Sequence, residues 1–112
     1  MNQNHNLKSD EKIVVQIDQD LEDLIPGYLE NRRENVKSIV KAISEGDFET
    51  IEILGHSMKG SGGGYGFKMI SEIGGIMETA AEEKNKDEII NQNEKLSSYL
   101  DRVEVVYEGE KK

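Results

Sequence analysis

One stretch of the chain carries the side chains best suited to chemistry: Gly55-His56-Ser57-Met58-Lys59-Gly60-Ser61, running on through Gly62-Gly63-Gly64-Tyr65-Gly66-Phe67. It places a histidine in a segment that reads as helix, with a lysine three residues later and a glycine four residues later. The chain has two histidines, and the other, His5, lies in a polar N-terminal stretch. Any imidazole chemistry therefore belongs to His56. An unperturbed imidazole titrates at about 6.5, so near neutral pH a large share of it is an uncharged nucleophile.

The direction in which His56 points follows from helical geometry. Asp47 is a good N-cap, and Glu49 and Glu52 favour the positive end of a helix. Phe48, Ile51, Leu54 and Met58 then recur at helical spacing and define a core face. At about 100° per residue, Leu54, Gly55 and Met58 fall within about 60° of Ile51, and His56 lies about 140° away on the outer face. Lys59 sits on the flank, close to one turn beyond. Glu52, Ile53 and Gly60 are the outer-face neighbours of the histidine.

Lone surface histidines and lysines are common, so the glycines carry more of the argument. Each of Gly60, Gly62, Gly63 and Gly64 lowers helix stability by roughly 1 kcal/mol relative to alanine. A helix end accounts for Gly63 or Gly64. It does not account for Gly60, one turn after His56. Close approach of another molecule to bare helix backbone does.

The segment resembles the histidine phosphotransfer (HPt) domain of two-component phosphorelays. That pattern is a histidine followed by lysine at three, glycine at four, a small residue at five and glycine at ten. The chain has His56, Lys59, Gly60, Ser61 and Gly66, with Tyr65 and Phe67 around the last glycine. The run Gly62 to Gly64 is richer in glycine than the pattern. The resemblance spans residues 18 to 106 and implies a phosphocarrier without autokinase activity of its own. His56 would accept a phosphoryl group, and Lys59 would offset its charge as a point cation. Phosphoryl transfer asks mainly for in-line positioning and charge stabilisation. The implied partners are receiver domains of response regulators or hybrid histidine kinases, which supply the acceptor aspartate and Mg²⁺. The chain itself then needs no metal or cofactor. The expected partner-binding surface comprises Glu52, Ile53, Gly60, Ser61 and Gly63, on a monomeric cytoplasmic protein.

Composition agrees with a small helical domain. At 112 residues one core is sufficient without staples, and there is no cysteine for disulfides or a thiolate metal site. No apolar run approaches a membrane span, and no charged-then-apolar signal opens the chain. The net charge of −9 disfavours nucleic acid and anionic membranes as partners.

The elements that must position His56 read as four helices. Residues 1–17 are expected to be a flexible N-terminal arm. Ile13 to Ile17 could form a short strand, but in a helical domain it is expected as an extended arm packed against the bundle. The first helix is expected from Asp18 or Asp20 to Ser44 or Glu45, started afresh or kinked at Pro26, with Tyr28, Leu29, Val36, Ile39, Val40 and Ile43 inward. Gly46-Asp47 is a stop followed by a cap. The second helix carries His56 and ends near Gly62 or Gly63. A third runs from about Lys68 to Lys84, with Ile70, Ile73 and Met77 inward. A fourth runs from about Lys86 to Val106 through Ile89, Ile90, Leu96, Leu100 and Val103. Residues 107–112 form a polar tail. Short connections favour an all-α, antiparallel up-and-down four-helix bundle with a short N-terminal arm or helix. Gly74-Gly75, inside the third helix, either lets two helices approach closely or leaves room for a docking partner.

Other chemistries fit less well. No G-x-x-x-x-G-K-[ST] phosphate loop can be drawn, because the lysine precedes the glycines. The position three before His56 is Ile53, so the Glu-x-x-His pair of a bundle metal site is missing. The chief rival is a non-catalytic helical interaction module that docks a signalling partner without being phosphorylated.

Overall fold

The computed structural model describes residues 11–109. Strand β1 (Ile13–Asp18) leads through a 3₁₀ turn (Gln19–Leu21) into helix α1 (Ile25–Glu45). Helix α2 (Phe48–Gly62) passes through a second 3₁₀ turn (Gly63–Tyr65) into α3 (Lys68–Glu82). Helix α4 (Lys86–Arg102) and strand β2 (Val103–Glu108) complete the described elements. The protein is mostly helical, with four helices as expected.

The all-α expectation needs one correction: the two strands form a parallel two-stranded sheet, in register from Ile13 opposite Val103 to Asp18 opposite Glu108. The fourth helix thus stops at Arg102 instead of continuing to Val106. Arg102 bonds back to the Ser98 carbonyl and hydroxyl, and Val103 turns to an extended conformation. The stretch read as an arm is, from Ile13 to Ile17, a strand, and Tyr107 and Glu108 of the expected tail belong to β2. Residues 1–10 of the expected arm, His5 among them, and 110–112 of the tail lie outside the described residues.

The helix starts follow local chemistry. Pro26 sits in the first turn of α1, where its missing N–H costs nothing, so α1 begins at Ile25 and not at Asp18 or Asp20. Asp18 instead accepts the Asp20 N–H at 2.8 Å. Gly46, at φ 67°, closes α1 with its N–H on the carbonyls of Ala42 and Ile43. Asp47 caps α2, accepting the Thr50 N–H at 3.1 Å and its hydroxyl at 2.6 Å. These bonds to Thr50 hold the Asp47 carboxyl below its ordinary range. Asn85 caps α4 through the Glu88 N–H.

The core holds Ile51 and Met58 of α2, Ile70, Ile73 and Met77 of α3, and Ile89, Leu96 and Leu100 of α4. Ile25, Tyr28, Leu29 and Ile39 of α1, Ile17 of β1, Tyr99 of α4 and Phe67 complete its larger side chains. Phe48 and Leu54 are half-buried at its margin. Two expected core residues are exposed instead: Val40 at 58% and Ile90 at 37%. They flank a shallow groove between α1 and α4 that also contains Asn93. The inward positions of α4 at this level are Gln92 and Asn93, and the Asn93 amide donates to the Val36 carbonyl at 3.2 Å.

Helices α2 and α3 make the most extensive contact in the fold. Glycines explain how. A Cβ on Gly55 would lie 2.8 Å from the Glu78 nitrogen and 2.9 Å from the Gly74 oxygen. A Cβ on Gly74 would lie 2.6 Å from the Lys59 nitrogen, and one on Gly62 would lie 2.5 Å from the Ser71 nitrogen. Backbone thus packs on backbone, which resolves Gly74 in favour of close helix approach. Its neighbour Gly75 lies under the Lys59 side chain, whose Cδ would be 3.6 Å from an added Cβ.

Gly74 and Gly60 therefore separate cleanly. Gly74→Ala should destabilise the fold by about 1–3 kcal/mol through overpacking against rigid backbone. Gly60, with nothing within 4 Å of an added Cβ, should gain up to about 1 kcal/mol as alanine. Urea unfolding of both variants checks this, and equal effects would remove the distinction.

Candidate functional site

His56 points outward, as helical geometry predicts, with 74% of its side chain exposed. It is nonetheless held. Its Nδ1 lies 3.0 Å from Oε2 of Glu78 on α3. The other carboxylate oxygen, Oε1, lies 3.6 Å from the Lys59 ammonium. One carboxylate, 18% exposed, therefore joins the histidine and the lysine that the sequence places one turn apart. An ionised carboxylate only accepts, so this contact puts the imidazole proton on Nδ1. Nε2 is left with its lone pair toward solvent.

Glu78 was not among the residues singled out from sequence. It lies 22 positions from His56, and a glutamate on a helix is the least distinctive of residues. The available signal was Gly74, one turn earlier on the same face of α3. A close glycine contact at Gly74 requires the residue four later to meet the same neighbouring helix.

The other expected residues divide into two groups. Ile53 is 60% exposed, and Gly60 and Gly63 are exposed with open space around them. Together with His56 they leave an outer face with an apolar side chain and bare backbone. Ser61 is engaged internally. Its hydroxyl pairs with the Tyr28 hydroxyl at 2.8 Å, and Arg32 reaches it at 3.5 Å. Tyr28 stacks on Tyr65 and Phe67, and Arg32 covers the Tyr28 ring at 4.6 Å. Ser61 thus ties α2 to α1 on the flank away from Glu78. The Lys59 carbonyl accepts from the Ser71 hydroxyl at 2.6 Å, a second tie between α2 and α3.

Glu52 occupies the opposite flank, in an acidic group. Carboxylate oxygens of Glu52, Glu78 and Glu82 lie within 4.8 Å of one another. These are the oxygens through which a hard cation would be held, but the Glu78 oxygens are already engaged, Oε2 by the His56 Nδ1–H and Oε1 by the Lys59 ammonium. The crowding is visible in Glu52. Its carboxyl is raised above the ordinary range, first by a hydrogen bond with Glu82, then by burial and by repulsion from Glu82, Glu78 and Glu49.

No protein-family model, curated protein or solved structure matches the chain. The site must therefore be read from its own geometry. Among the described residues, no helix is long and apolar enough to cross a membrane.

The acidic flank has a pH signature. A carboxyl raised in the folded state binds its proton more tightly there than in the unfolded chain. Its contribution to stability is then full below the ordinary glutamate pKa and is lost as pH rises through the raised value. Glu52→Gln removes that loss. The variant should melt higher than the parent at pH 7, with the difference vanishing near pH 4. Melting curves across this range check it, and a difference independent of pH would assign the effect elsewhere.

Proposed function

We propose that the chain is a histidine phosphotransfer protein, accepting a phosphoryl group on His56 Nε2 and donating it to a receiver-domain aspartate. The observation that carries this reading is the Glu78 carboxylate on Nδ1 of an exposed histidine. A purely solvated histidine needs no such anchor. A buried structural histidine would not leave its second nitrogen open.

The chemistry follows from the geometry. The Nε2 lone pair attacks phosphorus on a partner's aspartyl phosphate. A P–N bond forms, the P–O bond to the aspartate breaks, and the carboxylate leaves with the electron pair. The imidazole becomes cationic as it is phosphorylated, and the Glu78 carboxylate at Nδ1 stabilises that charge. Lys59, held by the same carboxylate, stands one turn away to offset charge on the phosphoryl oxygens. Onward transfer is the same exchange in reverse. The partner receiver supplies the aspartate and its Mg²⁺, so this chain needs neither ATP nor a metal of its own.

The surrounding face suits docking of such a partner. Ile53 offers an apolar anchor, and Gly60 lets a partner's loops approach the backbone. Gly63 extends the bare surface, and Glu52 borders it. The four helices are read as an antiparallel up-and-down bundle, with His56 midway along one outer face. In this reading the protein works in the cytoplasm.

The direct test mixes the chain with receiver domains loaded from acetyl phosphate and Mg²⁺. Acid-labile phosphate should appear on the chain, and His56→Gln should abolish it while the far-UV spectrum is unchanged. A His56→Gln variant that still accepts phosphate would reject the assignment, as would a wild-type chain that no receiver phosphorylates.

The supporting residues should show graded effects. Lys59→Ala should slow transfer by about 10–100-fold without eliminating it, as expected for loss of one charge-stabilising interaction. Glu78→Ala should do the same, because it frees the imidazole and releases Lys59. Glu78→Gln keeps an acceptor for Nδ1–H and should recover most of the rate. Single-turnover transfer assays measure all three, and equal rates for Glu78→Ala and wild type would reduce Glu78 to a surface ion pair.

A further inference from the structure

Among the described residues, the two-stranded sheet has both outer edges unpaired. Among the described residues, no backbone hydrogen bond links Ile13–Ile17 to anything except β2. Unpaired strand edges are normally blunted by charge, proline or a covering element. Within β1 the one charged residue is Asp18, at its end, and there is no proline. Ile13-Val14-Val15-Gln16-Ile17 is five residues without a charge or a proline, in a chain of net charge −9.

We propose that this edge pairs with β1 of a second copy, antiparallel about a two-fold axis at Val15, to make one continuous four-stranded sheet. The register is set by self-complementarity, as a two-fold interface requires. With Val15 opposite its own counterpart, Ile13 faces Ile17 of the other copy and Val14 faces Gln16. One face then carries Ile13, Val15 and Ile17 from both copies, continuous with Val103, Val105 and Tyr107 of β2. Of these, all but Ile17 are only half-buried in the single chain. The same register sets Lys12 of each copy opposite Asp18 of the other. Both residues are exposed, so two opposite-charge pairs close the ends of the ladder.

The β2 edge does not offer this. It carries Glu104 and Glu108, the kind of charge that protects an edge. Its equivalent register about Val105 would need Arg102 opposite Glu108, but Arg102 is the last residue of α4 and is bonded to Ser98. The proposal differs from the monomeric state that the family resemblance implies, and it stands independently of phosphotransfer. His56 lies on α2 and is not part of the sheet.

The experiment uses the full chain in sedimentation velocity from micromolar to millimolar concentration. A monomer–dimer equilibrium is expected. Lys12→Glu should weaken it by about tenfold, by turning two favourable cross-strand pairs into like-charge pairs. The double variant Lys12→Glu with Asp18→Lys should restore it. These exposed substitutions spare the core. Because the chain has no cysteine, Val15→Cys introduces a single thiol, which mild oxidation should join across the two-fold axis, whereas Val105→Cys should not cross-link. A wild-type monomer throughout the concentration range would overturn the proposal. So would cross-linking of Val105→Cys in place of Val15→Cys, or dimerisation indifferent to both charge variants.

Discussion

The contact on which the rest of the structure depends is the backbone-to-backbone approach of α2 and α3. Gly55 and Gly62 on one helix and Gly74 on the other leave no room for a Cβ, and carbonyl and amide groups of the two helices stand where side chains would otherwise separate them. Such closeness cannot be approximated by a smaller side chain, because alanine is already too large. It sets the axial register of the two helices, since three glycine contacts along one seam must be satisfied together. The adjacent core residues, Ile51, Met58, Ile70, Ile73 and Met77, then pack around a fixed spacing.

The candidate site is a consequence of that register. With Gly55 against the backbone nitrogen of Glu78, a glutamate side chain leaving α3 at this level has only a short distance to cover before it meets the outer face of α2. It reaches His56 and Lys59 together, and it does so while mostly shielded from solvent. A wider helix separation would return both side chains to water. The opposite flank of α2 is fixed by different means, through the Tyr28–Ser61 hydroxyl pair and the ring stack of Tyr28 on Tyr65 and Phe67. His56 is thus exposed on a helix whose two sides are both immobilised.

How much of this could be read from the chain depends on the range of the interaction. Local signals were legible. The Asp47 cap, the Gly46 stop, the inward Ile51 and Met58 and the outward His56 all depend on residues within a few positions of one another. Non-local contacts were not. Glu78 becomes part of the site only through the glycine seam, and Ser61 turned out to serve a tie to α1 that no local pattern announces. The end of α4 was misread because Leu96, Leu100 and Val103 continue a helical spacing, while the alternation that marks β2 begins at the same residue and needs β1 to be meaningful. Val40 and Ile90 kept the spacing of core residues, yet α4 turns Asn93 toward α1 at that level, so the apolar positions lie beside a groove. Lys84 takes a left-handed conformation at φ 55° after α3, a bend with no glycine to mark it.

The parallel pairing of β1 with β2 has a consequence for how the chain comes to be folded. The strands join positions 13 and 103, nearly the two ends of the described chain. The helices close over much shorter loops, and the entropy lost on closure grows with loop length. Contacts among α2, α3 and α4 therefore form on a faster schedule than the sheet. During synthesis β1 emerges before the four helices and waits for its partner until α4 has followed them. In the finished molecule the sheet is anchored to the core at Ile17, so local opening belongs to its less buried Ile13 end, while the glycine seam and the residues around His56 stay in place.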